Sequence, residues 1–291
     1  MTYAISDGPP CEEASHAWTA ADGTTAPPIN PGWTHSEDFI VTMGDPAGFY
    51  SLPDADNNVQ PLQGQPGDDP LPSEEGGKTI VYPLLVQAKT PQLLRTTAGQ
   101  LRHAFQDRNR LGTMLLTPHA AYSDIAWQYR ARVLAMEPTG RFNRVEGSRL
   151  AYQQPHRLSL RLLDARFYVA GDPESITGDD GDTVTATNEG LANTDPTFQI
   201  VTTGGDIHLE NLAVTTSAGH ADLWLRDVPA GTVTVSFRPR GLLIGTDSAE
   251  GYFDSANTDW WDELIPGLQP GANGIKVTGG SWTMTWRHAS R

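Results

Sequence analysis

Alternation of hydrophobic and polar residues predicts β-strands along most of the chain. Leu158, Leu160 and Leu162 alternate with polar residues, and residues 232–237 and 282–287 repeat the pattern in the second half. Successive side chains of a strand point to opposite faces, so this period of two predicts half-buried strands. Further strands are predicted at 37–43 and 79–88. Short strands separated by turns rich in Gly and Pro are typical of a β-sandwich or barrel.

One segment predicts a helix instead. Thr90 provides an N-cap hydroxyl and Pro91 occupies the first helical position, an arrangement that favours helix initiation. Small and apolar residues then share one helical face, namely Leu94, Thr97, Leu101, Ala104 and Phe105. We expect this helix to end near Gly112.

Charge divides the chain of 291 residues, whose net charge is −15. Residues 1–77 hold 13 acidic residues and neither Lys nor Arg, residues 78–170 hold 14 basic and 5 acidic residues, and the remainder is acidic again. Residues 51–77 are rich in Pro, Gly and Asp and predict a long loop or arm. Polar residues 171–182 predict a linker, which makes 1–77 an acidic arm of the first domain, 78–170 its core and 183–291 a second domain. The basic middle part either packs against the acidic flanks or contacts a different neighbour.

Composition excludes several classes of protein. The single cysteine, Cys11, excludes an intrachain disulfide framework and an all-cysteine zinc site. The acidic balance disfavours a general nucleic-acid binder, because affinity for phosphates requires Lys and Arg. No apolar run is long enough to span a membrane. The first residues lack the pattern of a secretory signal, so we expect synthesis in the cytoplasm of a host cell.

Enzymatic motifs are absent, and we expect no catalytic residue, metal or cofactor. His208 and Glu210 lie two residues apart in a predicted strand, so their side chains share a face. This arrangement fits two interpretations: a base or a pair of ligands, or a solvated face of a sheet. The acidic cluster at 179–182 has the oxygen ligands that Ca²⁺ prefers, but it lacks the spaced, bidentate carboxylates of a calcium loop, and a solvated linker explains it better. Carboxylates flank two adjacent tryptophans at 259–263, and paired carboxylates beside aromatic rings can indicate sugar chemistry. No spacing in the sequence brings a second carboxylate pair to them, so the sequence does not predict a sugar-cleaving site.

The tryptophans suggest a core and one exposed contact. Trp282 and Trp286 share a face with Met284 and are expected in the core. Adjacent residues of a strand point to opposite faces, so either Trp260 or Trp261 is the candidate exposed aromatic.

Four segments resemble siphophage distal tail proteins. These are GKTIVYPLLVQAKTPQLLRTTAGQLRHAF (77–105), LSLRLLDARFYVAG (158–171), NEGLANTDPTFQI (188–200) and WWDELIPGLQPGANGIKVTG (260–279). In the second of them, Ala165 replaces the family's usual proline, whereas Asp164, Arg166, Phe167 and Tyr168 remain. The resemblance covers about residues 79–291 and fails before them.

The resemblance implies a mainly β, structural virion protein of the tail tip. It implies a β-rich, split-barrel-like first domain with one helix and a galectin-like C-terminal β-sandwich. Such proteins form a homo-hexameric ring that joins the tail tube protein to the tail-tip or baseplate hub and receptor-binding proteins, and DNA passes through the ring. The alternatives are a carbohydrate-binding β-sandwich protein or another tail-tube or baseplate subunit.

Ring formation suggests an interface and a constraint on the lumen. Strand pairing builds interfaces from backbone hydrogen bonds, so the segment 79–88 is a candidate edge strand, with Lys78, Ile80 and Tyr82 as candidate interface residues. An arginine-lined hole would hold DNA by counterion release. We therefore expect most of a set of four arginines to face away from the lumen, namely Arg95, Arg102, Arg108 and Arg110.

Overall fold

The chain folds into two β units. The computed structural model describes residues 14–30, 38–44, 46–49, 59–61, 68–70, 78–108, 110–118, 125–162, 164, 166–216, 219–237, 240–260 and 267–290. Strands hold 60% of them and helices 8%, which confirms the prediction of a mainly β chain. The boundary between the units falls after Ala170. No helix within these ranges is long and apolar enough to cross a membrane.

The first unit contains ten strands and one helix among the described residues. They are β1 (Ala14–Thr19), β2 (Phe39–Met43), β3 (Val59–Pro61), β4 (Asp68–Pro70), β5 (Lys78–Ala88), α1 (Pro91–Ala104), β6 (Leu111–Pro118), β7 (Trp127–Pro138), β8 (Asn143–Arg144), β9 (Tyr152–Leu162) and β10 (Phe167–Val169). β3 and β4 pair with each other inside the segment predicted as a loop or arm, most of which lies outside the described residues.

The main sheet of the first unit is closed. Its strands run in the order β1-β6-β7-β9-β5-β2, and each neighbouring pair is antiparallel. Ile29 and His16 exchange backbone hydrogen bonds of 2.9 and 2.8 Å, and the Asn30 N–H donates to the Val41 carbonyl at 2.7 Å. Residues 29–30 therefore connect the two end strands, as a barrel requires.

Asn30 adopts a left-handed backbone conformation at this closure, with φ 48°. Asparagine tolerates this conformation better than most residues, because its short amide hydrogen-bonds locally. Its Nδ2 donates to the Ala14 carbonyl at 3.2 Å, which ties the closing segment to β1.

The single helix confirms the sequence prediction at its start. Thr90 Oγ1 accepts a hydrogen bond from the Leu93 N–H at 3.2 Å, and Pro91 is the first helical residue. The apolar face of α1 is buried with the inward side chains of the barrel. Its buried members are Leu94, Thr97, Ala98, Leu101 and Ala104.

The helix ends at Ala104, eight residues before the predicted stop at Gly112, so that boundary prediction was wrong. The buried indole of Trp18 donates to the Ala104 carbonyl at 3.1 Å and packs at a tilt against Phe105, with ring centroids 5.1 Å apart. This distant contact satisfies a carbonyl that a helix end leaves unpaired. Gly112 lies in β6 instead, where a Cβ atom would overlap the Trp18 ring.

The second unit is a sandwich of two antiparallel sheets. Its strands are β11 (Glu174–Gly178), β12 (Thr183–Asn188), β13 (Thr197–Thr202), β14 (Gly205–Thr216), β15 (Gly219–Val228), β16 (Gly231–Phe237), β17 (Arg240–Ile244), β18 (Asp247–Ser248), β19 (Gly271–Thr278), β20 (Ser281–Trp286) and β21 (Ala289–Ser290), with a 3₁₀ turn at Glu250–Tyr252. One sheet has the order β11-β20-β13-β16-β17-β18 and the other β12-β19-β14-β15. Trp282, Met284 and Trp286 are buried between them, as predicted.

The predicted linker is partly structured. β11 lies inside residues 171–182 and pairs with β20 from Glu174 to Gly178. Its polar sequence resembles a linker because β11 is an end strand of its sheet, which leaves Ser175 and Thr177 exposed. The predicted linker therefore begins at the boundary between the units, and its residues Glu174–Gly178 belong to a sheet of the second unit.

Asn30 variants test the closure. Asn30→Ala is expected to lower the free energy of unfolding by about 2 kcal/mol, because alanine loses the side-chain hydrogen bond and tolerates the left-handed conformation poorly. Asn30→Gly should lower it by about 1 kcal/mol, because glycine adopts the left-handed conformation readily but loses the hydrogen bond to Ala14. Denaturant unfolding measures both, with exposed Asn143→Ala as the control. Wild-type stability of both Asn30 variants would contradict the closing role.

Candidate assembly surfaces

The predicted interface residues lie in the interior of the first unit. Lys78, Ile80 and Tyr82 are 1%, 0% and 0% exposed. Their strand, β5, pairs with β9 along its whole length and with β2 and residue 47 on the other side. The prediction that 79–88 is an edge strand was therefore wrong, because β9 and β2 pair with its two sides. Whether β5 contributes to an interface between chains stays a prediction, but these three side chains serve the core.

Lys78 is a buried cation. Its ammonium donates to the Phe49 carbonyl at 2.8 Å and lies 4.3 Å from the centroid of the Phe167 ring. Burial lowers the pKa of Lys78 from 10.5 to about 8, because the interior disfavours the charged form. This residue therefore couples the stability of the first unit to pH.

The outward side of β7 and β9 carries an arginine face, which we define as Arg130, Arg132 and Arg161. Arg132 and Arg161 are direct cross-strand neighbours, and like charges in that position destabilise a sheet. Arg161 donates to Thr79 Oγ1 at 3.3 Å. Arg130 and Arg132 are exposed, and within the described part of the chain neither forms an ion pair. This face is thus suited to an acidic partner.

Aspartate and arginine hold the turn before β10 together. Arg166 Nε donates to Asp164 Oδ1 at 2.8 Å and its Nη2 donates to Oδ2 at 2.9 Å, while the Tyr168 hydroxyl donates to Oδ2 at 2.6 Å. Burial alone would raise the pKa of Asp164, but these donors and the arginine charge lower it below its ordinary value. These three residues belong to the DARFY sequence within the second of the four segments compared above. Their hydrogen bonds fix the turn that leads into β10.

Trp260 is not an exposed contact. It is 0% exposed, its indole donates to the Gly267 carbonyl at 3.2 Å, and its ring packs against Phe198 and Phe237. The alternation rule does not apply because Trp260 belongs to no strand, although its N–H donates to the Asp222 carbonyl of β15. Trp261 lies outside the described residues.

The outer face of the β12-β19-β14-β15 sheet carries a polar cluster. His208 and Glu210 share this face, as predicted, and their side chains are 15% and 16% exposed. Asp222 Oδ1 lies 2.8 Å from His208 Nε2, Glu210 Oε2 lies 3.7 Å from His208 Nδ1, and Lys276 Nζ lies 2.9 Å from Glu210 Oε2. We call these four residues the β14 cluster.

An aromatic and ionic layer borders the β14 cluster. The Trp224 ring stacks on His208, with centroids 3.7 Å apart, and Arg226 lies 4.3 Å from the Trp224 centroid. Arg226 pairs with Asp206 and Asp254 at 2.7 and 3.0 Å. A hydrogen bond from the Asp227 N–H, together with Arg226, lowers the pKa of Asp206.

Sequence reasoning missed the partners of His208 and Glu210. Asp222 and Lys276 join them only because β15 and β19 pair with β14 in one particular register. The acidic residues at 179–182 form a turn, in which Asp180 Oδ1 accepts a hydrogen bond from the Gly279 N–H at 2.7 Å.

One solved structure shares this fold over nearly its whole length. The crystal structure of SPP1 Dit (gp 19.1), a paradigm of the hub adsorption apparatus in phages that infect Gram-positive bacteria, is similar to this chain with a TM-score of 0.59. The two are 15% identical, over 94% of this chain and 98% of that chain. At this identity, the comparison shows a shared fold.

Other comparisons add little. The baseplate of phage P2 in its activated conformation with Ca matches at a TM-score of 0.41 and 8% identity, over 94% of this chain and 97% of that chain, and carries no argument. No family model matches the chain, and no curated protein matches it.

Lys78 makes stability depend on pH. Between about pH 8 and pH 10.5 the unfolded chain binds more protons than the folded chain, so the free energy of unfolding should rise with pH by up to about 3 kcal/mol. Lys78→Met should remove this rise. Denaturant unfolding at several pH values measures the slope, and the half-exposed Lys89→Met is the control. An unchanged slope in Lys78→Met would assign the effect to another group.

Proposed function

We propose that this chain is a structural subunit of a phage tail tip and acts as a distal tail protein. The single observation that carries the proposal is the shared fold with SPP1 Dit, which spans nearly the whole of both chains. Six copies would form a ring that joins the tail tube to the tip or baseplate and the receptor-binding proteins, with DNA passing through its hole. The protein would be made in the host cytoplasm and function in the virion.

The surface of the first unit supports assembly through charge. The closed sheet pairs both sides of β5, so interfaces would use outward side chains more than strand addition. Cross-strand repulsion between Arg132 and Arg161 would be relieved by a nearby carboxylate. The acidic sequence 1–77 of the same or a neighbouring chain has the complementary charge.

A structural role also agrees with the buried polar groups. Lys78 donates to the Phe49 carbonyl in the interior of the first unit, and the Asp164–Arg166 pair holds the last turn of that unit. Neither group has the exposed nucleophile and neighbouring base of a covalent catalyst. Arg95, Arg102, Arg108 and Arg110 are all exposed, and their orientation away from a lumen stays a prediction.

Electron microscopy of the purified full chain tests the proposal directly. We expect six-fold rings with a central hole in negative stain, and a matching hexamer mass by light scattering. Rings that stack into long tubes would favour a tail-tube subunit. A monomer that binds a glycan array would favour the carbohydrate-binding alternative and overturn the proposal.

Salt tests the electrostatic contribution to the ring. Raising NaCl from about 0.1 M to about 1 M shortens the Debye length from about 10 Å to about 3 Å. The hexamer fraction at fixed protein concentration should therefore fall, as measured by sedimentation velocity. An unchanged hexamer fraction would rule out charge pairing as the main attraction.

A charge-reversal pair locates that attraction. The double variant Arg130→Glu, Arg132→Glu should abolish or strongly weaken the hexamer at low salt. The control Arg95→Glu, Arg108→Glu changes the net charge equally and also alters exposed residues. Equal loss in both variants would mean that net charge, and not the arginine face, governs assembly.

A further inference from the structure

The β14 cluster brings three metal-ligating side chains together on one sheet face. One ligand atom from each of His208, Glu210 and Asp222 lies within 4.8 Å of the other two. Ligands about 2.0–2.2 Å from a tetrahedral ion are separated from each other by roughly 3.3 Å. Asp222 Oδ1 lies 2.8 Å from His208 Nε2, and Glu210 Oε2 lies 3.7 Å from the other ring nitrogen, Nδ1. One ion can bind only one of these nitrogens, so ion binding requires one of the two carboxylates to turn toward the nitrogen that the other contacts.

The charges of the cluster favour a cation. Glu210 and Asp222 are direct cross-strand neighbours, and two carboxylates in that position repel each other. Lys276 contacts Glu210 from β19, on the side away from Asp222. Among the described residues, the Asp222 carboxylate contacts the imidazole of His208, so the four side chains of the cluster carry a net negative charge when that ring is neutral.

The surroundings hold the ligands in place. The Trp224 ring stacks on the imidazole at an interplanar angle of 11°, which fixes the plane of His208. The Asp222 backbone N–H donates to Asp259 Oδ1 at 2.8 Å, and its carbonyl accepts from Asp259 and Trp260. Apart from the turn of one carboxylate, ligands on paired strands with supported side chains need little reorganisation to bind an ion.

We propose that the β14 cluster binds one divalent ion of the first transition row, with Zn²⁺ as the representative. One imidazole nitrogen and two carboxylate oxygens form a donor set that suits this class, whereas Ca²⁺ and Mg²⁺ prefer oxygen alone. The half-buried position leaves the remaining coordination sites to water. This proposal does not depend on the proposed function, because it concerns the second unit by itself.

Lys276 is a competitor in this arrangement. Its ammonium holds the Glu210 oxygen that the ion would contact, so binding displaces the ammonium or turns Glu210 toward the ion. Removing Lys276 should therefore tighten metal binding, whereas a cluster that serves only as an ion-pair network would not bind Zn²⁺ in either form.

Calorimetric titration with Zn²⁺ tests the proposal. The protein is the full chain without an affinity tag, carrying Cys11→Ser to remove the thiol ligand. We expect one ion per chain, and His208→Gln and Asp222→Asn, which keep side-chain size, should each weaken binding at least about tenfold. His220→Ala and Asp247→Asn alter an exposed histidine and an exposed aspartate, and should bind as the parent does.

A second readout separates ligation from folding. Co²⁺ in a site of low coordination number absorbs visible light, so its spectrum should appear in the parent and vanish in His208→Gln, while far-UV circular dichroism confirms that the variant is folded. If His208→Gln does not fold, Glu210→Gln takes its place. Lys276→Met should bind Zn²⁺ more tightly than the parent. Stoichiometric binding that survives in His208→Gln and Asp222→Asn, or no binding by the parent, overturns the proposal.

Discussion

Closure of the first sheet is the constraint on which the rest of that unit depends. Ile29 and Asn30 form hydrogen bonds with backbone groups of β1 and β2. At an open sheet edge, such groups would be free to pair with another chain. A closed sheet directs apolar side chains inward and presents its outward side chains to neighbours. The arginine face lies on that outer side.

Local patterns predicted the elements of the fold better than their ends and neighbours. Strands at 37–43 and 79–88 and the helix start at Thr90 follow from alternation and capping, which act within a few residues. The helix end depends on the indole of Trp18, 86 residues away. Likewise, β5 was predicted as an edge strand, and only its pairing with both β9 and β2 shows that it lies inside the sheet.

In the β14 cluster, too, sequence predicted what depends on neighbouring residues and missed what depends on distant strands. The two-residue spacing of His208 and Glu210 predicts a shared face, because the alternation of a strand is local. Asp222 and Lys276 reach that face through the pairing register of three strands, which no single segment specifies. Trp260 shows the opposite error, since alternation was applied to a residue that lies outside any strand.

Gly112 and Trp18 illustrate how a packed volume restricts evolution. The indole ring occupies the space that any side chain at position 112 would need. A larger residue at 112 is therefore acceptable only after position 18 has become smaller, and that first step forfeits the hydrogen bond to Ala104. The order of substitutions is fixed by geometry. We therefore expect positions 18 and 112 either to change together during evolution or to stay unchanged.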